Sequence, residues 1–245
     1  MFDLTGRKVF VTGSARGIGK AIAASFVKQG ATVLYHGATL TERLISAANE
    51  TSSPYVAGNL TDPDAVKKLI GDVREKLGHV DVLVLNGSIQ SYTGLENYTT
   101  DEFQKQMQTN VGATFQLIAA FAPEMAERNF GRIIAISSIN QIRPADRLGI
   151  YATTKAAMAN LMLTAAKKYA EKGITANTVL PGVIETDRNR EALSNKEFAD
   201  SLREKLPAKR FGKPEDCAGI AVFLASDEAS YVTGAEIPVA GGMQL

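Results

Sequence analysis

Residues 8–19 read KVFVTGSARGIG, and the reading of this stretch decides the fold. Lys8 to Thr12 is a short β-branched and aromatic run, the composition of a strand. It ends in a turn carrying Gly13, Gly17 and Gly19, residues that let the backbone bend sharply and approach a ligand closely. A helical pattern follows from Gly17 to Gln29 and is closed by Gly30.

The rest of the chain repeats this alternation. Thr32 to Tyr35 predicts a second strand, Thr41 to Glu50 a helix, and Pro54 to Ala57 a third strand. Thr61, Pro63 and Asp64 mark a helix start, and Gly78 stops that helix after Leu77. Val80 to Leu85 reads as a fourth strand. Thr99 and Glu102 have capping-box spacing for a long helix toward Arg128, which Pro123 is expected to kink or end. Arg132 to Ile136 and Thr175 to Leu180 predict two further strands, Lys213 to Ser226 a helix, and Ala235 to Val239 a last strand. The strands are near-continuously apolar, as in a parallel sheet covered on both faces. No linker, repeat or low-complexity segment divides residues 1–245. The expected fold is a single-domain α/β structure, a doubly wound Rossmann-type parallel sheet of about seven strands with helices on both faces.

In such a sheet the first strand-to-helix turn is where a pyrophosphate rests on helix N-terminal amides. The glycine spacing is not the usual G-x-G-x-x-G, yet its place directly after the first strand points to a nucleotide. The second strand ends Tyr35-His36-Gly37, with no carboxylate before Glu42 to bind ribose hydroxyls. Arg16, in the glycine turn, could accommodate a 2′-phosphate or be a solvated turn residue. The charge pattern favours NADP(H), with NAD(H) as a second cofactor.

A second stretch, YATTK at Tyr151–Lys155, opens an Ala-rich apolar run from Ala152 to Ala166 that reads as a helix. Residues four apart on a helix share a face, so Tyr151 and Lys155 sit side by side, as such pairs do on many amphipathic helices. A phenol with its ordinary pKa of about 10 holds its proton too tightly for chemistry at neutral pH. A nearby ammonium would favour the phenolate. Three pKa units would correspond to about 4 kcal/mol, enough to make Tyr151 a usable general acid or base.

Composition narrows the function. Lys plus Arg number 27 against 26 Asp plus Glu, a formal charge of +1 that gives no footprint for nucleic acid. The one cysteine, Cys217, fits a reducing compartment and reads as a small core residue. Asp3, Arg7 and Lys8 interrupt the N-terminus before any signal-like apolar stretch develops. The uncharged run from Gln106 to Pro123 is too polar to span a membrane. The expected location is the cytoplasm, and no metal site is expected.

TGxxxGxG at Thr12–Gly19 followed by YxxxK at Tyr151–Lys155 resembles the short-chain dehydrogenase/reductase family across essentially the whole chain. The resemblance implies a catalytic set of Asn110 (in TNVG), Ser138 (in ISSIN, thirteen positions before Tyr151), Tyr151 and Lys155. Ser137 is adjacent, but the family spacing selects Ser138. Ser138 and Tyr151 would bond the substrate oxygen, Tyr151 would carry its proton, Lys155 would also bind the nicotinamide ribose, and Asn110 would help hold a relay water. The implied cofactor contacts are Gly13, Ser14, Arg16, Gly17, Ile18, Gly19, His36, Gly37, Asn59, Leu60, Asn86, Gly87, Tyr151 and Lys155. They continue in PGVIET with Pro181, Gly182, Ile184 and Thr186, the last beside the carboxamide. Two departures affect cofactor packing. Leu85-Asn86-Gly87-Ser88 stands where the family usually has Asn-Asn-Ala-Gly, and Asn59 replaces an acidic residue common near the adenine.

The resemblance implies interconversion of a ketone and a secondary alcohol. Relatives include 3-oxoacyl-carrier-protein reductases and sugar or polyol dehydrogenases, so the substrate is a small carbonyl or alcohol, free or carrier-bound. Arg128 and Lys172 fall near the basic docking residues of the carrier-protein reductases, and ordinary solvated charges explain them equally well. Asn140, Gln141 and Arg143 could bind a hydroxylated or anionic substrate. A non-catalytic nucleotide sensor is the alternative from another class. Ala156 to Ala166 is apolar around nearly its whole circumference, which with the family's habits implies a homotetramer. The charged segment from Asp187 to Leu206 is expected to be a mobile lid, against the alternative of an exposed helical insertion.

Overall fold

The computed structural model describes residues 1–245, and the alternation becomes one seven-stranded sheet. Its strands are β1 (Lys8–Val11), β2 (Thr32–Gly37), β3 (Tyr55–Ala57), β4 (Val82–Leu85), β5 (Gly131–Ile136), β6 (Ile174–Pro181) and β7 (Glu236–Val239). All neighbours pair in parallel, in the order β3-β2-β1-β4-β5-β6-β7. The order reverses between β1 and β4, which opens a crevice at their carboxyl ends.

The helices are α1 (Gly17–Lys28), α2 (Glu42–Asn49), α3 (Pro63–Leu77), α4 (Thr100–Met107), α5 (Ala113–Glu127), α6 (Gly149–Tyr169), α7 (Arg190–Ser194), α8 (Lys196–Lys205) and α9 (Pro214–Ala225). Period-two side chains divide each strand between two cores. Phe10, Leu83, Ile133 and Ala135 face Leu69, Leu117, Phe121 and Met158 of α3, α5 and α6. Val9, Val11, Ile134 and Ile136 face Ile22, Phe26, Leu44 and Ala221 of α1, α2 and α9. Burial on both faces is what fixes a sheet of apolar strands between two helical layers. No helix is long and apolar enough to cross a membrane.

Local signals operate at the helix ends. Thr99 and Glu102 form the reciprocal capping box at α4, Pro63 opens α3 behind Asp62, and Gly78 ends it at φ +75°. Pro123 does not end the helix, which corrects that half of the expectation. The helix continues through it to Glu127, and the irregularity lies upstream, in a π-helical turn at Gln108–Gly112. Such wider turns are rare and collect at functional sites. Asn110 sits inside this one. The segment expected as a lid is α7 and α8, whose Ala199 packs with Leu206 and Phe211 in a small core of its own.

Candidate active site

The carboxyl ends of β1 to β6 surround a cavity of about 500 Å³, of the size that holds a small ligand. At one end lies the glycine turn. Gly13 has φ +64°, and a Cβ there would lie 2.9 Å from Gly87 Cα, so only glycine allows this approach. At Gly87 a Cβ would meet Leu60 Cδ1 at 2.7 Å, so the alanine usual in the family would need the tip of Leu60 to shift. No side chain caps the N-terminus of α1 and its first turn holds no carboxylate, so its amides are free to receive phosphate oxygens. That cradle fits a dinucleotide.

Gly13, Arg16, Gly17, Ile18, Gly37, Asn59, Leu60, Asn86 and Gly87 line this half of the cavity, with Pro181, Gly182, Ile184 and Thr186 on the side of β6. Ser14 and Gly19 do not line it. Ser14 is fully buried, donating to Val11 O and accepting from His36 N. His36 touches the cavity but needs a corrected role, because both ring nitrogens are engaged. Nδ1 accepts from Gly13 N at 3.0 Å, and Nε2 donates to Gly58 O at 2.9 Å. Burial depresses its pKa to about 4, so the ring is a neutral brace under the turn. The Asn86 amide does similar work, donating to Thr12 O and Gly13 O.

At the other end Ser138 follows β5, and Tyr151 rises from the first turn of α6. Geometry separates the two serines. Ser137 donates to Gln141 Oε1, whereas Ser138 interacts with the Tyr151 hydroxyl. Asn140 holds Ser138 in place, donating to its Oγ through both backbone and side-chain nitrogens.

Lys155 lies behind Tyr151, buried, 5.6 Å from the phenol ring centre, and donates to Ile136 O at 2.9 Å. This corrects the expected electrostatics. Burial raises the Tyr151 pKa, opposed chiefly by the charge of Arg188 and then by hydrogen bonding from Ser138 and Arg188. Burial, and secondarily Arg188, drives Lys155 down to about 7. Lys155 is therefore neutral at any pH where the phenol of the ligand-free chain would ionise. The cation acting on Tyr151 is Arg188. Asn110 is held by its neighbours. Its amide donates to Ile89 O and Thr154 Oγ1 and its oxygen accepts from Ile89 N, tying residues 88–92 to α6 with no donor left for a water.

A titration follows. Between the folded pKa of about 7 and the ordinary 10.5 of a lysine, the unfolded chain binds the extra proton. Lys155 thus makes unfolding harder as pH rises through that window, by up to about 1.4 kcal/mol per pH unit. The melting temperature of the ligand-free protein should climb by a few degrees more from about pH 7 to about pH 9 than that of Lys155→Met. Equal slopes would show that Lys155 stays charged in the folded chain.

Spacing alone does not single out two arginines that the fold brings to the site. Arg43, on α2, pairs with Asp187 at 2.9 Å, and Arg16 approaches the same carboxylate at 3.9 Å. Arg190 also pairs with it. Arg188 crosses to Ser88, donating to its Oγ at 3.2 Å and its carbonyl at 2.7 Å. For Arg188 the available signal is the basic run after PGVIET, in the charged segment expected to be a lid.

This fold and site define an oxidoreductase that works with a nicotinamide dinucleotide. A family model described as Enoyl-(Acyl carrier protein) reductase matches residues 13–244. The chain is 37% identical over 243 residues to the 3-oxoacyl-(acyl-carrier-protein) reductase of Salmonella typhimurium, covering 98% of each. It is also 37% identical to the L-rhamnose 1-dehydrogenase (NAD(P)(+)) of Azotobacter vinelandii, covering 98% of this chain and 97% of that one. A 3-oxoacyl (acyl-carrier-protein) reductase from Agrobacterium tumefaciens, solved with NADP bound, superposes with a TM-score of 0.94 at 36% identity, over 98% of this chain and 95% of the other. The chain belongs to the short-chain dehydrogenase/reductase family.

Proposed function

We propose that this chain interconverts a ketone and a secondary alcohol with NADP(H), and accepts NAD(H) less well. The observation that carries the reading is that one cavity joins the uncapped glycine turn to the Ser138–Tyr151 pair. Bound nicotinamide supplies or accepts the hydride. Ser138 and Tyr151 hold the substrate oxygen, and Tyr151 gives or takes its proton. Lys155 serves the ribose and tops up the proton through its own accessible titration near neutral pH. Asn110, through its bonds to Ile89 and Thr154, keeps the loop after β4 in register with Tyr151. NADP(H) is supported by Arg16 and Arg43 beside the end of β2, by Gly37 in place of an acid, and by the NADP-bound relative.

Both carrier-bound and free substrates have relatives to support them. The favoured reading is a free, hydroxylated small molecule. Arg128, the expected carrier contact, has its guanidinium turned inward to Glu124 O and Val80 O, at 2.9 and 2.7 Å. Arg128 and Lys172 also precede β5 and β6, whereas Ser138 follows β5. Six residues of strand, about 20 Å, separate the two ends, so a carrier docked there would have to reach across that length or serve a neighbouring subunit. The test is NADPH and NADH oxidation against acyl thioesters, ketosugars and simple diketones. Turnover of the sugars and diketones with NADPH supports this reading. Turnover confined to thioesters would restore the carrier reading, and no turnover of any ketone would contradict the reaction itself.

The same proposal includes a homotetramer in the cytoplasm. The outward faces of α5 and α6 leave Phe115 57% and Leu163 44% exposed, apolar surface that a second subunit would cover. The thiol of Cys217 is buried and pushed up to about 12, so it needs no oxidising compartment. Light scattering at micromolar concentration should give four times the chain mass of 26.2 kDa, and a monomer would contradict the assembly.

A further inference from the structure

Arg188 stands at the catalytic end of the cavity with no anion to face. Its guanidinium meets the neutral hydroxyl and carbonyl of Ser88 and the neutral phenol of Tyr151, and no carboxylate of the chain lies within ion-pair distance. Asp187, the acidic residue lining the cavity, is taken by Arg43 and Arg190, with Arg16 beside it. The neighbouring lining at Gln90, Tyr92, Ser138 and Asn140 offers neutral hydrogen-bonding groups. A guanidinium keeps its charge at every working pH and presents five donors, a fork that matches a carboxylate edge-on. Two of those donors are used by Ser88 and Arg188 lines the cavity, so the fork has donors to spare for a ligand there. The same charge is near enough to act on both Tyr151 and Lys155, so an anion paired to it would lie within a few bonds of the reacting carbon.

We infer that Arg188 receives a carboxylate of the substrate, and that the enzyme acts on compact oxo acids and hydroxy acids. This rests on the ketone–alcohol reading above and names the substrate class for it. In the reducing direction the carbonyl carbon of the oxo acid gains a hydride from NADPH and its oxygen gains the proton of Tyr151. The products are the hydroxy acid and NADP⁺, and the carboxylate is unchanged. Pairing Arg188 with a substrate anion would also mask the secondary cause of the Lys155 depression, burial remaining the main one.

The test compares matched ketones: an oxo acid, its methyl ester, and a ketone phosphate monoester of similar length. The readout is the ratio of kcat/KM for acid over ester, in wild type, Arg188→Lys and Arg188→Leu, with NADPH affinity measured separately by fluorescence. A charge-assisted bidentate contact predicts a wild-type ratio of about tenfold to a hundredfold, reduced in Arg188→Lys and near one in Arg188→Leu. Because the ratio is internal to each protein, a general loss of folding cancels from it. Ester turnover with a wild-type ratio near one would overturn the assignment of Arg188 while leaving the reaction class standing. A preference for the phosphate over the acid would overturn the carboxylate. Loss confined to NADPH affinity in Arg188→Leu would assign the arginine to the cofactor's phosphates instead. No turnover of acid, ester or phosphate would overturn the ketone–alcohol reading beneath the proposal.

Discussion

Replacing Tyr151 by phenylalanine is expected to leave the fold and NADPH binding nearly unchanged and to cut turnover about 10²–10⁴-fold, the usual contribution of a general acid–base group. The side chain is 5% exposed and anchored at the start of α6, and phenylalanine keeps the ring while deleting one oxygen. Ser138 is not orphaned by the change, since Asn140 still donates to it twice. What disappears is the proton that must reach the substrate oxygen as hydride arrives at carbon. Steady-state kcat, read beside the melting temperature and an NADPH titration, separates this loss from unfolding. Turnover within about threefold of wild type, far short of the expected range, would remove Tyr151 from the chemistry.

The second large effect concerns the cofactor. A 2′-phosphate brings negative charge to the end of β2, where Gly37 places no acid and Arg16 and Arg43 converge on Asp187. Each charge-assisted contact contributes about 1.5–3 kcal/mol when well formed, and both side chains are more than half exposed, at 62% and 56%, which puts them at the low end. Arg16→Ala and Arg43→Ala should each lower the NADPH-over-NADH ratio of kcat/KM about tenfold. Gly37→Asp should reverse it by adding repulsion and a ribose acceptor. The backbone there is not left-handed, and a Cβ would sit 3.2 Å from Leu44 Cδ2 and 3.3 Å from Thr39 O, close enough to need a small shift of Leu44. A wild type that prefers NADH, or variants that keep its ratio, would contradict this reading of the nucleotide end.

Much of the fold was legible because it rests on local rules. Apolar strands between capped helices gave the layers, and Thr99, Pro63 and Gly78 acted where the chain places them. The grouping of the candidate catalytic side chains was legible because β5 delivers Ser138 and one helical turn delivers Tyr151 and Lys155. The π-helical turn at Gln108–Gly112 was not, since a single widened turn has no propensity signature and Pro123 offered a more obvious break. The electrostatics also escaped. Spacing shows that Lys155 neighbours Tyr151, but only the packed structure shows that burial drives Lys155 to about 7 and brings Arg188 to the phenol instead. His36 and Asn110 illustrate the same limit. Their hydrogen-bonding groups are used inside the protein, a fact set by residues 21 to 23 positions away in sequence. Arg43 needed the end of β2 and the segment after β6 to be seen side by side.

The central claim is direct hydride exchange between nicotinamide and a carbonyl carbon, with Tyr151 handling the proton. The most direct measurement uses NADPH carrying deuterium at the transferred position of its nicotinamide C4, with any ketone the enzyme reduces and mass spectrometry of the alcohol formed. The account predicts one deuterium on the carbinol carbon of each product molecule in wild type, and little labelled product from Tyr151→Phe in the same time. NADPH oxidation that leaves the alcohol unlabelled, or equal label from the two proteins, would contradict it.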